Sequence, residues 1–142
     1  MKKTLFTGCG TALITPFKDG KVDVNTLRRL IDMQLENGID ALVANGTTGE
    51  PATMNDEEWV LVLKTVVEQA NGRVPVICGT GGNNTASVIA KAKLAKELGA
   101  DAQLCVTPFY NKTTQAGLIA HYQAIAHNSE LPVIVYNVPA RT

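Results

Sequence analysis

The residues able to do chemistry stand directly after apolar runs. Gly46-Thr47-Thr48-Gly49-Glu50 follows one such run. Its paired threonines offer hydroxyls, and the flanking glycines let backbone N–H groups approach a ligand closely, a small anion cradle suited to a carboxylate. Thr107-Pro108-Phe109-Tyr110-Asn111 follows another run, and Tyr136-Asn137-Val138-Pro139-Ala140-Arg141-Thr142 a third. None of these segments carries a lysine, so they offer hydroxyls, a phenol and a guanidinium but no amine nucleophile of the kind that Schiff-base chemistry would use. Lys64, Lys91, Lys93 and Lys96 fall in helical segments, and Lys18 and Lys112 fall in loops.

The elements that must position these residues alternate along the chain. Apolar runs at 11–17, 41–46, 75–81, 102–109 and 132–139 are rich in Val, Ile, Leu and Cys with little polar alternation, as strands buried on both faces should be. Four amphipathic helices lie between them. The second carries Trp59, Leu63, Val66, Val67 and Ala70 on one stripe, and the fourth Leu118, Ile119, Tyr122, Ile125 and Ala126. Asn55 with Glu58 reads as a capping start, and Gly38, Gly72 and Gly99 sit where three helices should end. All six prolines fall at element boundaries or in loops. Strand–helix–strand repeats of this kind give right-handed crossovers and a parallel sheet.

Two architectures fit four βα units and a fifth strand. An open doubly wound sheet would be complete at this length, whereas a (β/α)8 barrel, with a repeat of roughly 30 residues, would be cut just past its middle. Both place ligands at the carboxyl ends of the strands, where the polar segments lie.

Composition excludes other classes. The 142 residues carry 13 acidic and 13 basic side chains, so nothing favours nucleic acid or an anionic membrane surface. The opening, with Lys2 and Lys3 before apolar residues, begins like a signal peptide, but Gly8, Gly10 and Pro16 interrupt it and a first strand is the better reading. No apolar stretch reaches the ~20 residues a membrane span needs. Cys9, Cys78 and Cys105 are read as buried free thiols of a cytoplasmic protein. His121 and His127 have no partner at metal-ligand spacing, so no metal and no cofactor are expected. Gly79-Thr80-Gly81-Gly82 imitates a dinucleotide turn with Asp101 about 20 residues on, yet Asn84 takes the third glycine position and Asp101 precedes a strand.

Taken in order, GTTGE, the glycine-rich segment after the third strand, TPFYN and YNVPART, with the opening Thr15-Pro16-Phe17, resemble the dihydrodipicolinate synthase and N-acetylneuraminate lyase family. Thr47, where the lyase branch has serine, and Arg141 resemble the dihydrodipicolinate synthase branch. The resemblance covers the whole chain and implies that residues 1–142 are one partial domain, the N-terminal half of a (β/α)8 barrel cut before its sixth strand. It implies a class I aldolase-type reaction in the cytoplasm: pyruvate, held as a Schiff base, adds to aspartate semialdehyde on the route to diaminopimelate and lysine. By the same resemblance Thr47, Tyr136 and Tyr110, the last from a neighbouring subunit, form a proton relay. Thr48 holds the pyruvate carboxylate and Arg141 the semialdehyde carboxylate.

The residue types suit those roles. A phenol flanked by hydroxyls passes protons without leaving a charge in the pocket, and a guanidinium fork binds a carboxylate through two bonds. The family's lysine belongs to the sixth strand, so the resemblance implies that this chain by itself is inactive. The family's lysine-feedback site is altered too, with Asp56, Trp59, Ser87 and Phe109 replacing its usual residues and Asn83 kept. Without the motifs, Tyr110 and Tyr136 would read as packed aromatics, GTTGE as a turn and Arg141 as a surface charge. The alternatives are a non-catalytic half-barrel that self-assembles or a small-ligand-binding α/β module. Strand edges left bare in a half-barrel predict a homo-oligomer.

Overall fold

The computed structural model describes residues 4–142; the two lysines of the signal-like start lie outside them. The chain runs β1 (Gly10–Ala12), β2 (Phe17–Lys18), β3 (Lys21–Val22), α1 (Val24–Glu36), β4 (Ala41–Ala44), α2 (Asp56–Ala70), β5 (Val76–Gly79), α3 (Thr85–Glu97), β6 (Ala102–Val106), α4 (Gln115–Asn128) and β7 (Val133–Tyr136). Short 3-10 turns occupy Thr47–Gly49 and Pro51–Thr53.

The strand order decides between the two architectures. The five-stranded sheet is parallel and ordered β1-β4-β5-β6-β7, each strand beside the one before it. A doubly wound sheet reverses direction at a switch point; this one never does. Right-handed crossovers that always step the same way lay every helix on one face and curl the sheet toward a barrel.

Alternation along the strands then separates two cores. Leu42, Ala44, Val76 and Cys78 face the helices and meet Leu27 and Ile31 of α1 and Leu63 and Val66 of α2. On the other face Ala41, Val43, Ile77 and Ala102 pack with Phe6, Leu104 and Ile134. Each fully buried Leu or Ile contributes roughly 1.5–3 kcal/mol, so the first cluster is the chief source of stability. Polar contacts fix how α1 lies on α2: Gln69 Nε2 donates to Asp32 Oδ1 at 2.6 Å, and Arg28 Nη1 donates to Gln69 Oε1 at 3.0 Å.

Helix ends follow the sequence closely. Asn55 and Glu58 form a reciprocal capping box at the start of α2. Asp23, Asn84 and Thr114 cap the other three helices through their side chains. Gly38, Gly72 and Gly99 all have positive φ just past helix ends, the left-handed exit that glycine makes without strain.

Four expectations need correction. The first strand spans three residues rather than seven, because Asp19-Gly20 folds residues 17–22 back as the hairpin β2–β3. The later strands also stop short of their apolar runs, leaving the polar tails as loops. Cys9 lies before β1 and is exposed, whereas Cys78 and Cys105 are buried free thiols as expected. On α4 the buried residues are His121 and Ile125, with Ile119 59% exposed. That helix touches α3 along one flank only, so the wider apolar stripe is not all covered.

Candidate active site

At the end of β4, Asn45 adopts a left-handed conformation (φ 54°) that turns the chain sharply out of the sheet. The 3-10 turn follows, closed by Gly49 N–H to Gly46 O at 2.8 Å and Glu50 N–H to Thr47 O at 3.1 Å. Thr47 and Thr48 therefore spend neither N–H inside the turn. The turn is tied down from the segment after β1, where buried Thr15 donates its hydroxyl to Gly49 O at 2.7 Å.

Close backbone approach explains the glycines after β5. A Cβ on Gly79 would collide with the carbonyl of Asn45, and one on Gly81 with the backbone of Cys105 and Val106. Asp101, the residue that imitated a dinucleotide motif, instead accepts the N–H of Val76 at 2.8 Å. Asn84 caps α3 through Ala86 and Ser87. Both are structural.

The loop after β6 is knitted to the loop after β5. Asn83 Nδ2 donates to Phe109 O and Asn111 Nδ2 to Asn83 O, each at 3.3 Å. Between them Tyr110 sits at φ 69° with 94% of its surface exposed. A non-glycine residue there is strained, and here the loop bonds on either side hold it. Thr107 joins β6 to β7, its N–H and hydroxyl both reaching Tyr136 O, at 2.8 and 3.2 Å.

These loops enclose one cavity of about 510 Å3, which Thr47, Tyr136 and Arg141 all line. Leu104 and Val106 supply apolar wall between them. Thr48 and Tyr110 are outside that lining, both exposed to solvent. So three of the five residues singled out in the sequence share a cavity, and the other two flank it on the same turn or loop system.

On the opposite wall Trp59 and Ser87 are singled out in the sequence only by the feedback-site resemblance, and Lys91 has no signal there as a site residue. Trp59 of α2 and Ser87 and Lys91 of α3 border the cavity, and Lys91 Nζ lies 5.7 Å from the centre of the Trp59 ring, within cation–π range. Asn83 and Phe109 also line it, whereas Asp56, at the start of α2, does not. Only the adjacency of two helices, invisible in either helix alone, brings Trp59 and Lys91 together. Beneath them burial pushes the Cys78 thiol up to about 12, against a smaller opposing effect of Asn45. That thiol stays protonated and chemically quiet. Among the described residues no cluster of His, Cys, Asp and Glu could hold a metal ion, and no helix is long and apolar enough to cross a membrane.

Residues 5–142 match the Dihydrodipicolinate synthetase family. The chain belongs to the dihydrodipicolinate synthase family. It is 56% identical over 137 residues to the 4-hydroxy-tetrahydrodipicolinate synthase of Maridesulfovibrio salexigens, covering 96% of this chain and 47% of that protein. The enzyme of the same name from Acetivibrio thermocellus is 52% identical over 142 residues, or 100% of this chain and 49% of the relative. Among solved structures, the chloride-inhibited dihydrodipicolinate synthase of Acinetobacter baumannii, complexed with pyruvate, superposes with a TM-score of 0.94 at 51% identity, over 98% of this chain and 48% of that one. The chain thus spans about half the length of the family members it matches. Its five-stranded parallel sheet and four helices correspond to the N-terminal half of the family's (β/α)8 barrel.

Proposed function

We propose that this chain supplies half of the active site of a pyruvate-dependent Schiff-base lyase. The reaction joins pyruvate to aspartate semialdehyde, giving hydroxytetrahydrodipicolinate for diaminopimelate and lysine synthesis. One observation carries the reading: in a chain of this family, Thr47, Tyr136 and Arg141 converge on a single cavity at the carboxyl ends of parallel strands.

The chemistry assigned to each group follows from its type. An amine attacks the pyruvate keto carbon, forming a carbon–nitrogen bond and a carbinolamine. That intermediate must gain a proton on its hydroxyl to leave as water. A hydroxyl and a phenol facing one cavity, Thr47 and Tyr136, can take up the proton that the nitrogen loses on addition and pass one to that hydroxyl, so the relay ends neutral as the carbon–oxygen bond breaks and water leaves. Thr48, on the same turn, is assigned the pyruvate carboxylate. Arg141 is assigned the carboxylate of the semialdehyde, which a guanidinium fork binds through two parallel bonds. Tyr110, almost wholly exposed, is read as completing the relay in a neighbouring copy.

The amine is assigned outside this chain. Among the described residues Lys64 lies on α2, Lys91, Lys93 and Lys96 on α3, Lys18 and Lys21 in the hairpin and Lys112 in a loop. Lys91 alone borders the cavity, from its far wall. By itself the chain is therefore expected to bind pyruvate without forming an imine.

Calorimetry with pyruvate, followed by borohydride and intact-mass measurement, tests both parts. Saturable binding that Thr48→Val weakens, with no mass increase after borohydride, is expected. No binding of millimolar pyruvate would refute the carboxylate cradle, and a trapped adduct on Lys91 would overturn the assignment of the amine.

A further inference from the structure

Asn45 is the residue at which β4 becomes the threonine turn, and its environment is unusual for an asparagine in that role. Its backbone is left-handed, at φ 54°. Its side chain is buried, with 3% of the residue's surface exposed. A residue needed only for a positive φ would be best replaced by glycine, which makes the turn without steric cost. Asparagine tolerates the same conformation but brings an amide that must be satisfied when buried.

Half of that amide is satisfied. Nδ2 donates to the carbonyl oxygen of Trp59 on α2 at 3.0 Å, across fourteen positions of sequence. Because a carbonyl only accepts, the NH2 end must face Trp59. Oδ1 is left buried with no hydrogen-bond partner. Keeping an unpaired acceptor inside the protein is costly, and glycine would avoid it. The feature that accounts for asparagine here is the bond from Nδ2 to α2. The carbonyl of Asn45 is also pressed against Gly79 so closely that no side chain fits there. The residue is thereby held from three directions: by the end of β4, by β5, and by α2 through its amide.

We infer that Asn45 is a positioning residue: its amide, anchored on the Trp59 carbonyl, sets the direction in which Gly46–Gly49 leaves the sheet and so aims Thr47 at the cavity, with Thr48 beside its mouth. The functional part of this inference rests on the reading of that turn as a carboxylate cradle. Thr15, in the segment after β1, holds the far end of the turn, so the two tethers grip it at its two ends. With the Asn45 tether cut, the turn keeps its sequence and its left-handed entry but loses its fixed angle to α2.

The test uses the 142-residue chain and two variants, Asn45→Gly and Asn45→Ala, followed by amide hydrogen exchange and by pyruvate calorimetry. Asn45→Gly still permits the left-handed backbone while removing the whole side chain, and Asn45→Ala removes the amide while keeping Cβ. The Gly49 and Glu50 amides, which close the turn, are expected to exchange at least ~10-fold faster in both variants, while β4 amides keep their protection, as for a local rather than global opening. Pyruvate affinity is expected to fall by about tenfold alongside, a loss of ~1.4 kcal/mol. Wild-type protection of the turn in Asn45→Gly would overturn the inference, because backbone conformation alone would then suffice. Equal acceleration in β4 would overturn it as well, by showing a general loss of stability. If the unmodified chain binds no pyruvate while the turn still loosens in both variants, the carboxylate reading fails and the positioning of the turn by Asn45 stands.

Discussion

Replacing Thr15 by valine removes one hydroxyl and almost no volume. Thr15 is 5% exposed and donates at 2.7 Å to the carbonyl of Gly49, itself buried. Valine fills the same space, so no cavity term enters. What changes is that a buried carbonyl loses its donor, at a cost of about 1–3 kcal/mol. A central loss of ~2 kcal/mol lowers the folding equilibrium constant roughly 30-fold, and in a domain of this size the melting temperature by about 6–8 °C. Thr15→Ser keeps the donor and loses a methyl group, a cost of only ~0.8 kcal/mol. Urea unfolding of the three proteins should therefore rank them wild type, Thr15→Ser, Thr15→Val. Since the bond holds the turn that carries Thr47 and Thr48, pyruvate affinity should fall in Thr15→Val and largely return in Thr15→Ser. A serine variant as unstable as the valine variant would refute the reasoning, because the methyl and not the hydroxyl would then be what matters.

Stability should also fall as the solution is made mildly acidic. His121 is buried, with Nδ1 against the Thr85 hydroxyl at 2.8 Å and Nε2 unpartnered, and burial holds its pKa below the ordinary 6.5. The unfolded chain then takes up the proton first. Stability is fully present above 6.5 and is lost as pH falls from there through the folded value. Urea midpoints at pH 7.5 and 5 should differ, and His121→Gln should shrink that difference; an unchanged difference would show that His121 is not its source. Independently, β1 and β7 each have one unpaired edge in the described sheet, and Val135, Ile119 and Tyr110 are 58%, 59% and 94% exposed. Sedimentation should find the chain self-associating at micromolar concentration, and a stable monomer throughout that range would contradict this.

Much of this structure is legible in the sequence because the local signals agree with one another. Asn55 and Glu58, Gly38, Gly72 and Gly99 mark helix ends through backbone requirements that do not depend on tertiary context. The strand ends are where Thr47, Tyr136 and Arg141 had to be, since parallel α/β sheets present their carboxyl ends to ligands. Other features depend on neighbours. Asp19-Gly20 is a hairpin turn in its own right, yet Phe17 of its first arm ends the apolar run 11–17, which reads as one longer strand and hides the hairpin. Trp59 and Lys91 each look like ordinary members of a helix face; their shared place on the cavity wall arises from the packing of α2 beside α3. Asn45 reads as the tail of a strand, and its amide acquires meaning only when the Trp59 carbonyl is seen across from it. For α4, an apolar stripe reports which faces could be buried, and the neighbours present determine which are.

The strand order has a consequence for how such a chain is made. Every partner in the parallel sheet comes from the strand synthesised just before or just after it in that sheet, and no pairing joins its first and last strands. Loop closure thus spans one βα unit at a time, about 30 residues, which keeps its entropic cost small at each step. At translation speeds of roughly 5–20 residues per second a new unit emerges every few seconds, far longer than helix formation or collapse requires. The sheet can therefore grow on the ribosome as a file, each strand docking on a finished predecessor. One bare edge stays on β1 while the other travels with the newest strand, so only that moving boundary is covered again at each stage of synthesis.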